Sequence, residues 1–197
     1  MDTERLGRSR FLNAFFKLSG RAMESRLRER LFDPLRTLEG AGLRPGQTVL
    51  EVGCGTGFFT LPAARMIGDG GHLIAMDPMS GFVDRVRDKV REAGLRNVEV
   101  VRRDALKTGS ATATVDVVLA LGVLPYPSLP LDRLLPEMHR VLKPDGTMAV
   151  WLFPITFGVP RAILQSGLFS HPSQKNGVYT FRRSEATGSP LHRPGPT

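Results

Sequence analysis

The stretch Val49-Leu50-Glu51-Val52-Gly53-Cys54-Gly55-Thr56-Gly57 decides how this chain folds. Its first half belongs to a short apolar run, predicted as a strand over residues 47–52. Its second half sets glycines at 53, 55 and 57, which let the backbone turn tightly and let a ligand approach without a Cβ clash. Phe58 to Ile67 then reads as a helix with Pro62 in its first turn. A loop that opens a helix presents free N–H groups, which favour a carboxylate or another anion. Glu51, just before the loop, can bind a cationic group or hold the loop in shape.

Outward from this unit, strand and helix alternate. His72 to Met76 is predicted as the second strand, with Asp77 at its end. Ser80 to Ala93 is an amphipathic helix with Phe82, Val83, Val86 and Val90 inward, closed by Gly94. The third strand is Val98 to Arg102, followed by Asp104. Val115 to Leu121 is a continuous apolar strand, the pattern of a strand covered on both faces. Leu131 to Leu142 is a helix, Lys143 to Gly146 a turn, Thr147 to Phe153 the fifth strand, Pro160 to Ser166 a short helix and Gly177 to Arg182 a last strand. The expectation is an α/β fold: a Rossmann-like parallel sheet with helices on both faces, a final antiparallel strand and N-terminal helices. In such sheets ligands bind beyond the carboxyl ends of the strands, near the switch in strand order.

Three segments divide the chain: an N-terminal helical segment over 1–40, an α/β domain over 41–185 and a disordered tail over 186–197. In the first, Phe11, Leu12, Phe15, Leu18, Ala22 and Met23 fall on one side of a helical wheel, flanked by Arg8, Arg10, Lys17 and Arg21. This stripe either packs on the domain, covering the cleft, or lies on an anionic membrane and delivers a lipid substrate. Pro34 either divides this segment or starts a new turn.

Composition excludes several classes. The chain has 197 residues, which favours a single core, and its apolar runs are too short to span a bilayer. No stretch reads as a signal peptide, so a cytoplasmic protein is expected. Cys54 is the only cysteine, which rules out an internal disulfide and multi-thiol chemistry. His72, His139, His171 and His192 show no metal-ligand spacing, so no metal is expected. The net charge of +8 can attract nucleic acid or an anionic surface, but 22 of the 27 basic residues are Arg, as a biased genome would also give. Nucleic acid is the weaker partner, because no stacking aromatics interleave the basic residues.

Two acids complete the first loop. Asp77 falls 20 residues after Gly57, where a carboxylate can accept from both hydroxyls of a ribose. Asp104 with the Ala105 N–H can read an adenine edge, one accepting from the amino group and the other donating to a ring nitrogen. Taken singly, Asp77 also suits a helix cap and Asp104 a turn cap. Together they describe an adenosine carrying an amino-acid-like end. A dinucleotide fingerprint would place its third glycine at 58, where Phe58 stands.

On these residues, the chain resembles the class I S-adenosylmethionine-dependent methyltransferases, in the branch of the ubiquinone and menaquinone C-methyltransferases. Glu51 to Gly57 is similar to that family's first motif, and Arg140-Val141-Leu142-Lys143-Pro144-Asp145-Gly146 to its helix-to-turn signature. Ser166 to Phe169 and Val178 to Phe181 resemble its last strands. The resemblance covers roughly residues 40–183. It implies S-adenosylmethionine as cofactor, held by Glu51, Gly53, Cys54, Gly55, Thr56, Gly57, Asp77, Pro78, Met79, Asp104, Ala105 and Leu121.

The acceptor is open, with a small molecule or lipid favoured. The aromatic-Tyr-Asp segment of quinone methyltransferases is replaced by Phe15-Phe16-Lys17-Leu18, and no Asn-Pro-Pro-Tyr follows the fourth strand. Tyr126, just beyond that strand, is a candidate general base or aromatic wall, with packing as its ordinary role; no other catalytic residue is assigned. His171, placed in a loop, could approach the same side, while His139 and Asp116 read as structural. The alternatives are a non-catalytic cofactor-binding module, an oxidoreductase using a nicotinamide dinucleotide, and a methyltransferase acting on RNA or protein.

Overall fold

Strands made of continuous apolar runs need cover on both faces, and here each run alternates between two helical layers. The computed structural model describes residues 33–124, 129–152 and 158–185. In chain order these form α1 (Pro34–Gly40), β1 (Thr48–Val52), α2 (Thr60–Ile67), β2 (His72–Asp77), α3 (Ser80–Glu92), β3 (Val98–Arg102), a 3-10 turn (Ala105–Lys107), β4 (Val115–Leu121), α4 (Leu131–Val141), β5 (Leu142–Trp151), α5 (Val159–Gln165), β6 (Phe169–Lys175) and β7 (Val178–Arg183).

The seven strands form one sheet in the order β3-β2-β1-β4-β5-β7-β6. β1 to β5 are parallel; β7 runs antiparallel to both β5 and β6. The order reverses between β1 and β4, which opens the crevice where such sheets bind ligands. One layer buries Leu50, Val52, Val118, Ala120, Met148 and Val150 under α4 and α5. The other buries Val49, Val117, Leu119 and Ala149 under α1 and α2, with Val86 and Val90 of α3 closing over Ala75. The residue-by-residue switch of face is the period-2 geometry of a strand.

Pro34 starts a helix: Asp33 caps α1 by accepting from the Leu35 and Arg36 N–H groups. α1 docks on the β6–β7 hairpin, where Asn176 Nδ2 donates to Arg36 O at 2.7 Å. Gly40 makes this approach possible, because a Cβ there would collide with the Lys175 carbonyl.

Three expectations are corrected. α2 starts at Thr60, because Phe58 and Phe59 belong to the turn that leaves the glycine loop. Residues 143–146 lie within β5 as a wide bulge, since Val115 pairs with Leu142 and Val117 with Thr147. Asp116, the one residue opposite it, accepts from Lys143 Nζ and from the Thr48 N–H, each at 2.8 Å, which confirms a structural role. His171 stands in β6, not in a loop, in the register shift between Ser170 and Ser173, whose partners Arg182 and Thr180 pair with Thr147 and Ala149 of β5. It therefore lies toward the amino end of β5, away from the crevice. β6 carries Pro172 and is exposed past Ser170, as an edge strand permits. Residues 1–32, Tyr126, Phe153 and the tail from 186 lie outside the described residues.

Candidate functional site

β1 ends at the crevice, and its loop is tied across to β2: the Gly53 and Cys54 N–H groups both donate to Met76 O at 2.9 Å. Gly53, Gly55 and Gly57 have φ of +71°, +52° and +83°, a region that a side chain enters only at a cost. A Cβ on Gly53 would lie 2.5 Å from Val123 Cγ1, so this position also needs glycine for space. Nothing lies within 4 Å of a Cβ built on Gly55, and that side of the loop is open to a ligand.

Asp77 ends β2 and is the hub. Its Oδ2 accepts from the Gly55 N–H at 3.1 Å and its Oδ1 from the Met79 N–H at 2.9 Å. The side chain thus joins the glycine loop to the turn before α3. Each carboxylate oxygen retains acceptor capacity beyond these bonds. Burial pushes the Asp77 carboxyl up to about 6, against the opposing pull of the Met79 and Gly55 N–H groups.

Glu51 is 3% exposed and accepts from Thr60 Oγ1 at 2.6 Å. It therefore locks the end of β1 to the first turn of α2, the second of the two roles its position allowed. Burial raises it to about 7; the Thr60 hydroxyl opposes the shift and the Asp77 charge adds to it. Burial, then the charges of Glu51 and Asp77, push the Cys54 thiol up, so it stays neutral and packs against Ala75, Val86 and Val90.

The Asp104 Oδ1 accepts from the Leu106 N–H at 2.9 Å and caps the 3-10 turn. Arg103 N donates to Asp77 O at 3.2 Å, which brings the ends of β2 and β3 together. The Ala105 N–H is not among the donors that fix this loop.

These ends surround a cavity of about 180 Å³. Gly53, Asp77, Pro78, Met79, Asp104 and Ala105 line it as a group, so half of the residues expected at the site meet there. Phe82, Arg103, Gly122, Val123 and Leu129 join them without having been anticipated as site residues. Phe82 carried a signal, as the apolar residue of α3 nearest its start; the others depend on how loops fold back. Leu121 is buried toward α1 and α2, and Gly122 and Val123 take the place expected of it. Thr56 and Gly57 instead line a groove of about 750 Å³ on another side of the loop, where Lys89 Nζ donates to Thr56 O at 2.8 Å.

The donor set suits a nucleoside. Two carboxylates supply acceptors, and Met76, Met79, Phe82 and Val123 supply flat apolar walls. The cavity is smaller than the roughly 300–1,000 Å³ of complete ligand pockets, so a whole cofactor would extend beyond it.

Residues 49–146 match the family model described as a methyltransferase domain. This chain belongs to the class I S-adenosylmethionine-dependent methyltransferases. The methyltransferase domain is 36% identical over 118 residues to the ubiquinone/menaquinone biosynthesis C-methyltransferase UbiE of Vibrio campbellii, covering 59% of this chain and 45% of that protein. It is 33% identical over 114 residues to the demethylmenaquinone methyltransferase of Listeria welshimeri, covering 57% and 48%. The chain spans about half the length of these relatives.

Among solved structures, a SAM-dependent methyltransferase from Aquifex aeolicus aligns over 85% of this chain and 97% of its own, with a TM-score of 0.69 and 25% identity. The [4+2]-cyclase SpnF aligns over 72% and 57%, with a TM-score of 0.61 and 26% identity. The methyltransferase fold is therefore shared with a protein described by a different reaction.

Proposed function

We propose that this domain binds S-adenosylmethionine at the carboxyl ends of β1 to β3 and moves its methyl group to a small apolar or lipid acceptor. The observation that carries this reading is the convergence of Asp77 and Asp104 on one apolar-walled cavity, with Asp77 also bonded to the Gly55 N–H. In it, Asp77 accepts from the ribose hydroxyls, Asp104 and the Ala105 N–H hold the adenine edge, and Met79 and Phe82 cover the ring. The amino-acid end lies along Gly53 and Gly55, with Pro78 on the cavity wall, Glu51, Cys54, Thr56 and Gly57 shaping the loops from behind and Leu121 seating the end of β4. The bound cofactor supplies a methyl already activated by its sulfonium. The protein's part is to align an acceptor with the carbon–sulfur bond and keep water away, which contributes on the order of 7–11 kcal/mol in favourable cases. A base is needed only where the acceptor must lose a proton.

The relatives are named for ubiquinone and menaquinone biosynthesis and for demethylmenaquinone, and this supports a small-molecule acceptor of apolar character. Residues 1–32 add to it: eight basic residues stand against four acidic ones beside the apolar stripe of Phe11 to Met23, a combination suited to an anionic membrane surface. The second reading, a module that binds the cofactor without transferring methyl, is favoured by the likeness to the [4+2]-cyclase.

Labelled S-adenosylmethionine incubated with the full chain and cell fractions tests both. Label in the lipid or small-molecule fraction is expected. Cofactor binding with no transfer to any fraction supports the second reading, and label in RNA or protein overturns the acceptor class.

A further inference from the structure

One carboxylate outside the cavity holds the far end of the loop that carries Asp104 and Ala105. Glu137, on α4, has a side chain only 14% exposed. Its Oε1 accepts from both the N–H and the hydroxyl of Thr108, at 2.9 and 2.7 Å. Arg140 grips the same carboxylate with two parallel bonds, Nε to Oε2 and Nη2 to Oε1, each 2.8 Å. Such a fork fixes direction as well as distance. The guanidinium reaches on to Ser110 O at 2.9 Å and Thr112 Oγ1 at 3.2 Å. From the other side, Arg103 Nη1 donates to Thr108 O at 2.9 Å, and Arg103 itself lines the cavity. A Cβ at Gly109 would overlap that guanidinium, so the loop is shaped to let it pass.

Asp104 and Ala105 thus hang between two anchors. One is the end of β3, held to Asp77 through the Arg103 N–H. The other is Thr108, held to α4 through Glu137. A displacement of about 1 Å at a recognition group can cost on the order of a hundredfold in function, so the second anchor matters to whatever the loop reads.

We propose that Glu137, locked by Arg140, is a positioning residue for adenine recognition: acting through Thr108, it sets where Asp104 and the Ala105 N–H meet the base. This rests on the cofactor reading given under Proposed function. The discriminating ligand is the deaminated counterpart of S-adenosylhomocysteine, with inosine in place of adenosine. It presents a carbonyl and a ring N–H where adenine presents an amino group and a ring nitrogen, so donor and acceptor both reverse.

Calorimetric titration of the full chain with both ligands tests the proposal. The wild-type chain is expected to favour the adenine form by at least about tenfold, the scale of one charge-assisted hydrogen bond. Glu137→Gln is expected to shrink that preference below about threefold while the affinity for the inosine form changes little. Thr108→Val, which removes one donor and keeps the other, serves where Glu137→Gln does not fold and is expected to narrow the preference partway.

A lowered melting temperature with an unchanged preference in both variants makes Glu137 a structural residue only and overturns the proposal. So does a wild-type chain that binds the two ligands equally. Binding of neither ligand by the wild-type chain refutes the cofactor reading itself, which separates the two failures.

Discussion

Gly55 separates two effects that glycine-loop substitutions usually combine. Its φ of +52° makes any side chain strained, yet the space around a Cβ is empty. Gly55→Ala should therefore cost the unliganded fold only about 1–2 kcal/mol in urea unfolding. The new methyl occupies the approach to the loop, so S-adenosylhomocysteine affinity should fall by more than about tenfold, beyond what that strain accounts for. Unchanged affinity would place the ligand elsewhere. At this scale the acids and glycine of the cavity were legible in the chain order, because Gly53, Asp77, Asp104 and Ala105 stand at or within three residues of strand ends. Phe82 and Leu129 reach the same cavity from a helix and a loop; helical spacing turned Phe82 inward, but nothing in the chain order brings Leu129 there.

α4 contains a conflict between sequence and helix that its packing overrides. Pro136 sits six residues into the helix, where it removes one backbone hydrogen bond, and it is exposed. Leu134, Leu135, Met138 and Val141 are all buried and hold the helix in place. An interior proline costs about 3 kcal/mol in a helix, part of which local adjustment recovers. Pro136→Ala should then raise the unfolding free energy by about 1–2 kcal/mol with no loss of packing. A decrease in stability would mean that the ring makes a contact the domain needs. The β6–β7 hairpin was harder to read. Phe169 to Lys175 has no apolar alternation, being an exposed edge, but Asn176 and Gly177, at φ of +51° and +78°, make the two-residue turn that this dipeptide favours. That pair was the available signal.

For the molecule as a whole, the proposed site makes ligand and proton competitors for Asp77. Asp77 is raised to about 6 and Glu51 to about 7, so the native state holds protons that the unfolded chain releases. Through these two groups, stability of the unliganded domain falls as pH rises from about 4 through 7. Glu137 acts in a separate window: the Arg140 bond holds it down to about 2, and the stability it contributes is lost as pH falls below 4.5. On the proposed ribose contact, the hydroxyls would donate to the ionised form of Asp77, so ligand binding is expected to strengthen as pH rises through 6. At pH 7.5, S-adenosylhomocysteine at a hundred times its Kd should stabilise the domain by about 2.7 kcal/mol and raise the melting temperature by about 5–10 °C. The shift should shrink at pH 5, and NAD at the same concentration should give none. An equal shift at both pH values would remove Asp77 from the site.

Glycine spacing, strand-end acids and uninterrupted apolar runs were sufficient for the α/β class, the parallel strands and the loops proposed to bind the nucleoside. These features are local, and backbone stereochemistry links them directly to their geometry. Packing alone decided that Glu51 braces α2, that residues 143–146 bulge within β5, that His171 lies away from the crevice and that Glu137 anchors the Asp104 loop. Each of those outcomes depends on which distant side chain fills the remaining space or satisfies a buried charge, and such partners meet only after the sheet has closed.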